Sequence, residues 1–573
     1  MSMSEGAEAG AQPSAEMHRS LRIPEIIWHI CSHLNPIPRA GAADLATLAR
    51  TCRIFHDPAL DALWWEQDTI MNLMRCMPDV WETMTPPPGF LTLFLNGVGR
   101  PVTAARPIVV LDWDRVKKYS HRVKSLKCLD NDGLALSCVF EAIQLGAPDG
   151  CLLPNLRHFT WSRSNKRLLP FIDLFLGPNL TIFAIGSVEH NAHYSVLANV
   201  AHRYPALFGV YIGHLDPDYE DQSDDEDHDG GSADKEGSEP RPTDRDLSTF
   251  VCALTEPQFV DVGTLDLAAL THLGGLTTLR ILTTTLPASI SFPSARNGTL
   301  FSCLQIAKLH VERGDILGMT ELVRTWNCPP LQSLEIQFET KSYDRFTSSI
   351  GLQSFQEFHD TVSTHCAPAS LKIFKLDATD DDDSSASAFV YPGHLLRSLI
   401  CFSNLIVVSI RVLNGYELDD EVVSDLAHAW PHLRELRLGT MAYNHHPRTT
   451  LLSLQALAQH CLHLHTLEMT FDATTVPAAA TTPQARIIQN NLVVLDPAFS
   501  HISDIFPVAR YLSGMFTNLK KMEWRHSWSG DRRAWNEVLA LVTQLHEIRK
   551  EEVMRGQSLI AQTSACAATA TDS

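Results

Sequence analysis

The sequence predicts an α/β chain: a small all-helical module near the N-terminus, then a long array of strand–helix repeats closed by a last helix. Three observations lead to this. Residues 18–75 hold three short segments whose apolar residues fall at helical spacing. Residues 121–525 return repeatedly to one phrase with apolar anchors at i, i+3 and i+5. Residues 526–556 then carry a single amphipathic stripe, Trp535, Val538, Leu539, Val542 and Leu545 within Asp531 to Arg555, with no strand phrase after it.

The first helix of the module opens at Pro24, where a missing N–H costs nothing in a first turn. Ile23, Ile27, Ile30 and Leu34 then recur at helical spacing, widened by Ile26 and Cys31. Asn35-Pro36-Ile37-Pro38 ends that helix. Asp44 can cap a second helix with Leu45, Leu48, Cys52 and Phe55 on one stripe, and Asp57-Pro58 starts a third that runs to Trp65. A span of roughly 45 residues buries too small a share of its surface to be comfortably stable alone. Its apolar positions nevertheless exceed what three short helices hide among themselves. Such a segment completes its core against another chain.

The ordered set Ile23-Pro24-Glu25-Ile26-Ile27, then Thr51-Cys52-Arg53-Ile54-Phe55, then Ala59-Leu60-Asp61-Ala62-Leu63-Trp64-Trp65 resembles the F-box. Its wording is most similar to F-box proteins of basidiomycete fungi. It departs at the start, where Pro24 and Glu25 are adjacent and many family members have a residue between them. The resemblance implies docking onto a Skp adaptor and, through it, a cullin scaffold. The implied docking residues are Ile23, Pro24, Ile27, Ile30, Leu34, Leu48, Cys52, Phe55, Leu63 and Trp64. The alternative for this segment is an ordinary helical cap on the array.

In the array the anchors are Leu156/Phe159/Trp161, Leu180/Phe183/Ile185 and Leu207/Val210/Ile212, then Leu276/Leu279/Ile281, Leu304/Ala307/Leu309 and Leu331/Leu334/Ile336. Leu371/Phe374/Leu376, Leu405/Val408/Ile410, Leu433/Leu436/Leu438, Leu464/Leu467/Met469 and Leu519/Met522/Trp524 complete the series. Val123/Leu126/Cys128 opens it, and Leu492/Leu495 is a damaged copy with Pro497 at the third anchor. Three anchors alone recur by chance in a chain that is 45% hydrophobic. Context decides the matter. Pro154, Pro178, Pro205, Pro329 and Pro431 each stand two residues before a first anchor, stopping a helix and setting up extended chain. Most first anchors lie 24 to 31 residues apart; the intervals of 33, 69, 40 and 34 require insertions.

A period in the twenties with L-x-x-L-x-L resembles leucine-rich repeats, each giving a strand and a returning helix. Three buried anchors contribute ~5–9 kcal/mol, whereas ordering one repeat costs several times more in backbone entropy, so neighbours must stack. The spacing is irregular and the asparagine signature is missing, as in the cysteine-containing repeats of F-box proteins. A mixed α/β domain without a superhelix is the alternative. If the strands line a concave face, the residues between the second and third anchors, and just after the third, point outward. These are Lys308, His310, Glu335, Gln337, Lys375, Asp377, Ser409, Arg411, Arg437, Glu468 and Thr470, followed by Glu523 and Arg525, the candidate contacts for a target protein.

Composition bounds the rest. The net charge of −20 is concentrated: Asp216 to Glu239 holds twelve acids and one base, Lys235, a balance of −11 that leaves −9 elsewhere. Residues 216–246 therefore read as a disordered insertion in which Ser223-Asp224-Asp225-Glu226 fits an acidophilic kinase, and Asp380 to Asp383 as a solvated loop. Excess negative charge opposes nucleic-acid binding. No apolar run approaches the roughly 20 residues that cross a bilayer, and the mean hydropathy is −0.06. Met1 to Met17 reads as a polar, disordered tail rather than a signal peptide, and the thirteen cysteines are scattered without a CxxC pair. A cytoplasmic or nuclear protein with reduced thiols is expected. Residues 76–120, with the proline-rich Pro86 to Pro107, read as a linker, and residues 557–573 as a disordered tail.

No phosphate-binding loop, dinucleotide fingerprint or G-x-S-x-G elbow occurs. His460-Cys461-Leu462-His463-Leu464-His465 comes nearest to a metal constellation, but structural zinc sites pair their ligands at two separated places. Cys461 precedes a repeat anchor and suits a core-edge thiol. No cofactor and no catalytic residue are expected. The reading is a non-enzymatic substrate receptor of a Skp–cullin–F-box ubiquitin ligase, with a repeat scaffold or adaptor outside the ligase as the alternative.

Overall fold

The computed structural model describes residues 23–34, 39–77, 79–83, 102–106, 108–128, 139–141, 143–144, 151–161, 166–186, 191–213, 242–287, 290–292, 300–312, 316–339, 352–378, 390–412, 415–440, 447–478, 487–523 and 531–571. The expectations for residues 1–17, Asp380 to Asp383, Trp524 and Arg525, and for 216–241 of the insertion expected over 216–246, lie outside the described residues; residues 242–246 of that insertion instead begin the helix Pro242–Cys252. The chain divides into two compact units, Met1–His228 and Asp229–Ser573.

Three helices open the first unit: α1 (Pro24–His33), α2 (Arg39–Thr51) and α3 (Arg53–Trp65). Ile27, Cys31, Leu45, Ala49 and Ala59 form their shared core, with Leu34, Leu48, Phe55, Leu60, Ala62 and Leu63 packed around it. The break between α2 and α3 falls at Cys52, which is extended at φ −157°. Phe55 therefore belongs to α3 rather than α2, and Pro58 lies inside α3 rather than at its start.

From α3 the chain passes directly into strand β1 (Glu66–Gln67), which pairs in parallel with β2 (Ser125–Cys128). Residues 76–120 are thus an excursion between two neighbouring strands, not a tether between the module and the repeats. They contain an antiparallel pair, Trp81–Thr83 with Val102–Ala104, and helix α4 (Val110–Ser120). The signal for α4 was legible: Trp113 and Val116, at helical spacing, are buried. Tyr119 of α4 stacks on Trp64 with ring centroids 4.9 Å apart. Arg122 reaches back to α3, Nη2 to Asp57 Oδ1 at 2.7 Å and Nη1 to Asp61. Strands β3 (His158–Trp161), β4 (Ile182–Gly186) and β5 (Gly209–Gly213) continue the parallel register, aligning Leu126, Phe159, Phe183 and Val210.

The second unit repeats one coil. Its strands are β6 (Phe259–Thr264), β7 (Ile281–Leu286), β8 (Ile306–Glu312), β9 (Ser333–Glu339) and β10 (Ile373–Ala378). They continue as β11 (Val407–Val412), β12 (Glu435–Thr440), β13 (Thr466–Met469), β14 (Val494–Asp496) and β15 (Lys521–Met522). Each pairs in parallel with the next. The second anchors form one buried row, Val260, Leu282, Ala307, Leu334, Phe374, Val408, Leu436, Leu467, Leu495 and Met522. Helices return the chain, and several start on side-chain caps: Asp266 accepts from Ala269 N, Asp419 from Val422 N, Thr450 from Leu452 N and Asp504 from Phe506 N. The chain is an α/β protein with a helical module followed by leucine-rich-repeat-like coils.

Three repeat assignments shift. The register places Leu279, Leu282 and Thr284, not Leu276, Leu279 and Ile281, on the buried row. Thr284 takes an apolar position by donating its Oγ1 to Gly263 O at 2.8 Å, which a count of apolar anchors cannot see. Pro257, Val260 and Val262 form a coil inside the interval of 69. Leu492, Leu495 and Pro497 are a full coil, since a proline can end a strand without losing a ladder bond.

Within the long interval after Leu371, Tyr391–Pro392 pairs in parallel with Tyr416–Glu417 of the following coil. Tyr391 Oη is hydrogen-bonded to His359 Nε2, both side chains being fully buried, and Tyr416 Oη donates to Ile410 O at 2.6 Å. The final helix spans Arg532–Thr571, past the expected end at 556 and into the expected tail. The alanines of that tail, Ala561, Ala565, Ala567, Ala568 and Ala570, are the strongest helix formers. Its first turns bury Trp535, Val538 and Val542, and Trp535 Nε1 donates to Ser500 O at 2.9 Å.

Candidate functional site

Two surfaces, one in each unit, gather the side chains expected to bind. The first is α1. A helix turns 100° per residue, so Ile27, Cys31 and Leu34 share one stripe, and that stripe faces the module core. Ile23, Ile26 and Ile30 flank it on one side and Trp28 on the other, and these four are 37–45% exposed. Ile54 of α3 is 43% exposed as well. Of the expected docking residues, Ile23, Pro24 and Ile30 are on the surface. Leu34, Leu48, Cys52, Phe55 and Leu63 are half-buried, and Trp64 is half-buried against Tyr119. Ile27 is a correction: at 1% exposure it is core, not contact surface. Trp28 and Ile54 were missed; an apolar residue just outside the main stripe was the available signal.

The second surface is the outward side of the strands in the second unit. Alternation along a strand sends every other residue outward, and the parallel register lines these up across coils. One rung runs Thr283, Lys308, Glu335, Lys375, Ser409, Arg437, Glu468 and Asp496. The next runs Thr285, His310, Gln337, Asp377, Arg411 and Gly439. The expected residues from Lys308 to Glu468 are therefore brought together, and Thr470 follows β13 half-buried. Lys375 Nζ sits 3.2 Å from Glu335 Oε2, and Arg411 Nη1 2.9 Å from Asp377 Oδ2. Such partly exposed pairs contribute about 1 kcal/mol or less, so they set the pattern of charge more than stability.

At β12 to β15 the ladder tightens. Arg437, its side chain 13% exposed, is bonded to Glu435 and lies 3.5 Å from Glu468 Oε2 and 3.7 Å from Glu523 Oε2. Burial works against its charge, but the bonds to Glu435 and Glu468 outweigh this and raise its pKa. Glu468 is the second correction: at 1% exposure it is buried and serves the ladder rather than a target. Gly439 makes that possible, because a Cβ there would meet Glu468 Oε1 at 2.6 Å and Arg411 Cγ at 3.3 Å.

A third outward rung went unread. It precedes the second anchors and holds Phe259, Ile281, Ile306, Ser333, Ile373 and Val407, then Glu435 and Thr466. Its apolar members are half-buried, forming a stripe beside the charged rung. Period-two alternation was the signal; apolar side chains at these positions were indistinguishable from core in the sequence.

No family model matches the chain, and no curated protein matches it. Among solved structures it is similar to an internalin from Listeria monocytogenes, with 12% identity, a TM-score of 0.25, and coverage of 66% of this chain and 82% of that one. It is also similar to the leucine-rich-repeat ectodomain of the Arabidopsis receptor kinase HAESA, solved with a peptide hormone, with 11% identity, a TM-score of 0.19, and coverage of 70% and 74%. The repeat type is assigned from the chain's own register and anchors. Among the described residues no helix is long and apolar enough to cross a membrane, and no group of three or more His, Cys, Asp or Glu side chains is placed to hold a metal ion.

Proposed function

We propose that this protein is the substrate-recognition subunit of a Skp–cullin–F-box ubiquitin ligase, its helical module holding the Skp adaptor and its strand ladder holding a target protein. The observation that supports this most is α1, which leaves Ile23, Ile26, Trp28 and Ile30 outside a core it has already filled. Fully burying such a side chain contributes about 1.5–3 kcal/mol, so a partner covering this face gains a hydrophobic centre. The F-box resemblance of Ile23 to Ile27, Thr51 to Phe55 and Ala59 to Trp65 supplies the class of partner. In this reading the chain performs no bond chemistry; it brings a target to the ubiquitin-transferring enzymes.

Co-purification with the Skp adaptor and cullin tests the proposal. The Ile23→Asp/Ile30→Asp variant changes exposed positions only, so it is expected to keep the wild-type Tm and lose adaptor at least tenfold. Recovery of equal adaptor by wild type and variant refutes the proposal. Adaptor without cullin or a ubiquitylated client favours the alternative, a repeat scaffold outside the ligase.

A further inference from the structure

The outward side of strands β7 to β11 carries a row of aliphatic side chains whose spacing and surroundings define a kind of partner. Ile281, Ile306, Ile373 and Val407 stand in register, each one residue before a buried second anchor, with the small, buried Ser333 between Ile306 and Ile373. The four aliphatic residues are half-buried, so one side of each is open. The stretch has definite ends. On β12 the row passes to Glu435, and on β6 the neighbouring rung turns acidic with Asp261.

Between those ends the charges beside the row are mostly positive. Arg280 and Lys372 precede Ile281 and Ile373 by one residue, and Lys308 and Lys375 follow Ile306 and Ile373 by two. Lys308 and Lys372 are exposed, and among the described residues Lys308 has no ion pair. Glu335, 3.2 Å from Lys375, is the acid that answers them. One rung farther out, Asp377 and Arg411 cancel each other. A chain with a net charge of −20 therefore presents a locally cationic strip here, and a partner of complementary charge is acidic.

Spacing decides the partner's conformation. Neighbouring strands lie about 4.8 Å apart, so the row from β7 to β11 is about 19 Å long. An α-helix laid across the strands advances about 5.3 Å for each alternating step of three and four residues, close to one coil per step. An extended segment in the same place repeats its side chains every 6.7 Å or so and falls out of step within two coils. About 13 helical residues cover the row.

We infer that β7 to β11 bind an amphipathic α-helix, its apolar stripe on Ile281, Ile306, Ile373 and Val407 and its acidic flanks towards Lys308 and Lys372. This names the class of target for the strand ladder and rests on the reading of that ladder as the target surface. Burial of the aliphatic row supplies the attraction, and the lysines fix the sign of the charge that the helix carries beside its stripe.

The test is fluorescence anisotropy of the full chain with a crosslinked helical peptide of about 16 residues, leucine on its stripe and glutamate on both flanks. Two further probes are the same peptide with lysine for glutamate, and an uncrosslinked one with two central prolines. The glutamate helix is expected to bind the wild type saturably, and each of the other probes roughly tenfold or more weakly. Ile306→Asp/Ile373→Asp should lose the glutamate helix. Lys308→Glu/Lys372→Glu changes exposed positions only; it should lose the glutamate helix and gain the lysine helix. That exchange of preference is not produced by unfolding, and the wild-type Tm of each variant confirms its fold. No saturable binding of the glutamate helix up to about 1 mM would overturn the inference. So would equal binding of the proline peptide, or a charge preference unchanged in Lys308→Glu/Lys372→Glu. The two readings fail separately. A wild-type chain that binds the helix but recovers no Skp adaptor loses the ligase reading alone, and one that recovers adaptor but binds no helix loses this inference alone.

Discussion

The helical module and the repeat coils handle apolar residues in opposite ways. In the coils each anchor is covered by the next coil: Phe374, Val408, Leu467 and Leu495 are 0% exposed. Among the described residues the module has no such neighbour beyond α1, and Ile23, Ile26, Trp28, Ile30 and Ile54 stay 37–45% exposed. Apolar content therefore means different things in the two regions. In the array it is internal structure, whereas on α1 it is surface in excess of what the chain buries.

The largest expected effect tests this contrast directly. Leu436→Ala, at 1% exposure between two coils, should cost ~2–5 kcal/mol, since it removes buried methyl groups and leaves a cavity. Ile30→Ala on α1 should stay within ~0.5 kcal/mol, as exposed substitutions do. Urea unfolding of both variants measures the difference. Comparable losses would mean that the outer flank of α1 is packed, and the contrast would collapse.

A second difference lies in buried histidine. His359 is fully buried against Tyr391 and Phe374, and burial lowers its pKa to about 3. The unfolded chain takes up this proton near pH 6.5, while the folded one stays neutral. A depressed folded pKa on a base means that stability is retained above the unfolded value and falls as pH drops from about 6.5 towards 3. The slope from this one group is about 1.4 kcal/mol per pH unit. His359→Gln should flatten that part of the stability–pH curve. A variant curve parallel to the wild type between pH 6 and 5 would remove His359 as the cause.

How much was legible in the sequence differs between the regions for a physical reason. Coil anchors repeat, so Leu304 to Met469 could be placed from the anchor phrase together with its context, such as Pro329 and Pro431 two residues before a first anchor, and the register then aligned the charged rung from Lys308 to Glu468. Where the pattern used a polar residue the reading slipped by three, because the hydroxyl of Thr284 satisfies itself on Gly263 O. The burial of Glu468 was also hidden, since it depends on the missing side chain of Gly439 in the neighbouring strand. On α1 the periodicity located the helix but not its inner side. Ile27 and Ile30 belong to one apolar stripe in sequence, and only the packing of α2 and α3 separates core from surface.

The smallest expected effect concerns how the module is held. A linker at residues 76–120 would let it swing; instead α3 runs into β1, and Lys124 N donates to Trp65 O at 2.9 Å. Arg122 adds a brace, its side chain 14% exposed and bonded to both Asp57 and Asp61 of α3. Because those carboxylates are largely in water, Arg122→Ala should cost only about 1 kcal/mol globally. The informative readout is local. Amides of α3 should exchange faster in the variant, while those of β10 to β12 remain unchanged, because strand pairing and the Trp64–Tyr119 stack still fix the junction. If α1 and α2 also lost protection to the level of free peptide, the brace rather than the continuous α3–β1 connection would be what holds the module. The exposed flank of α1 would then be tethered rather than fixed.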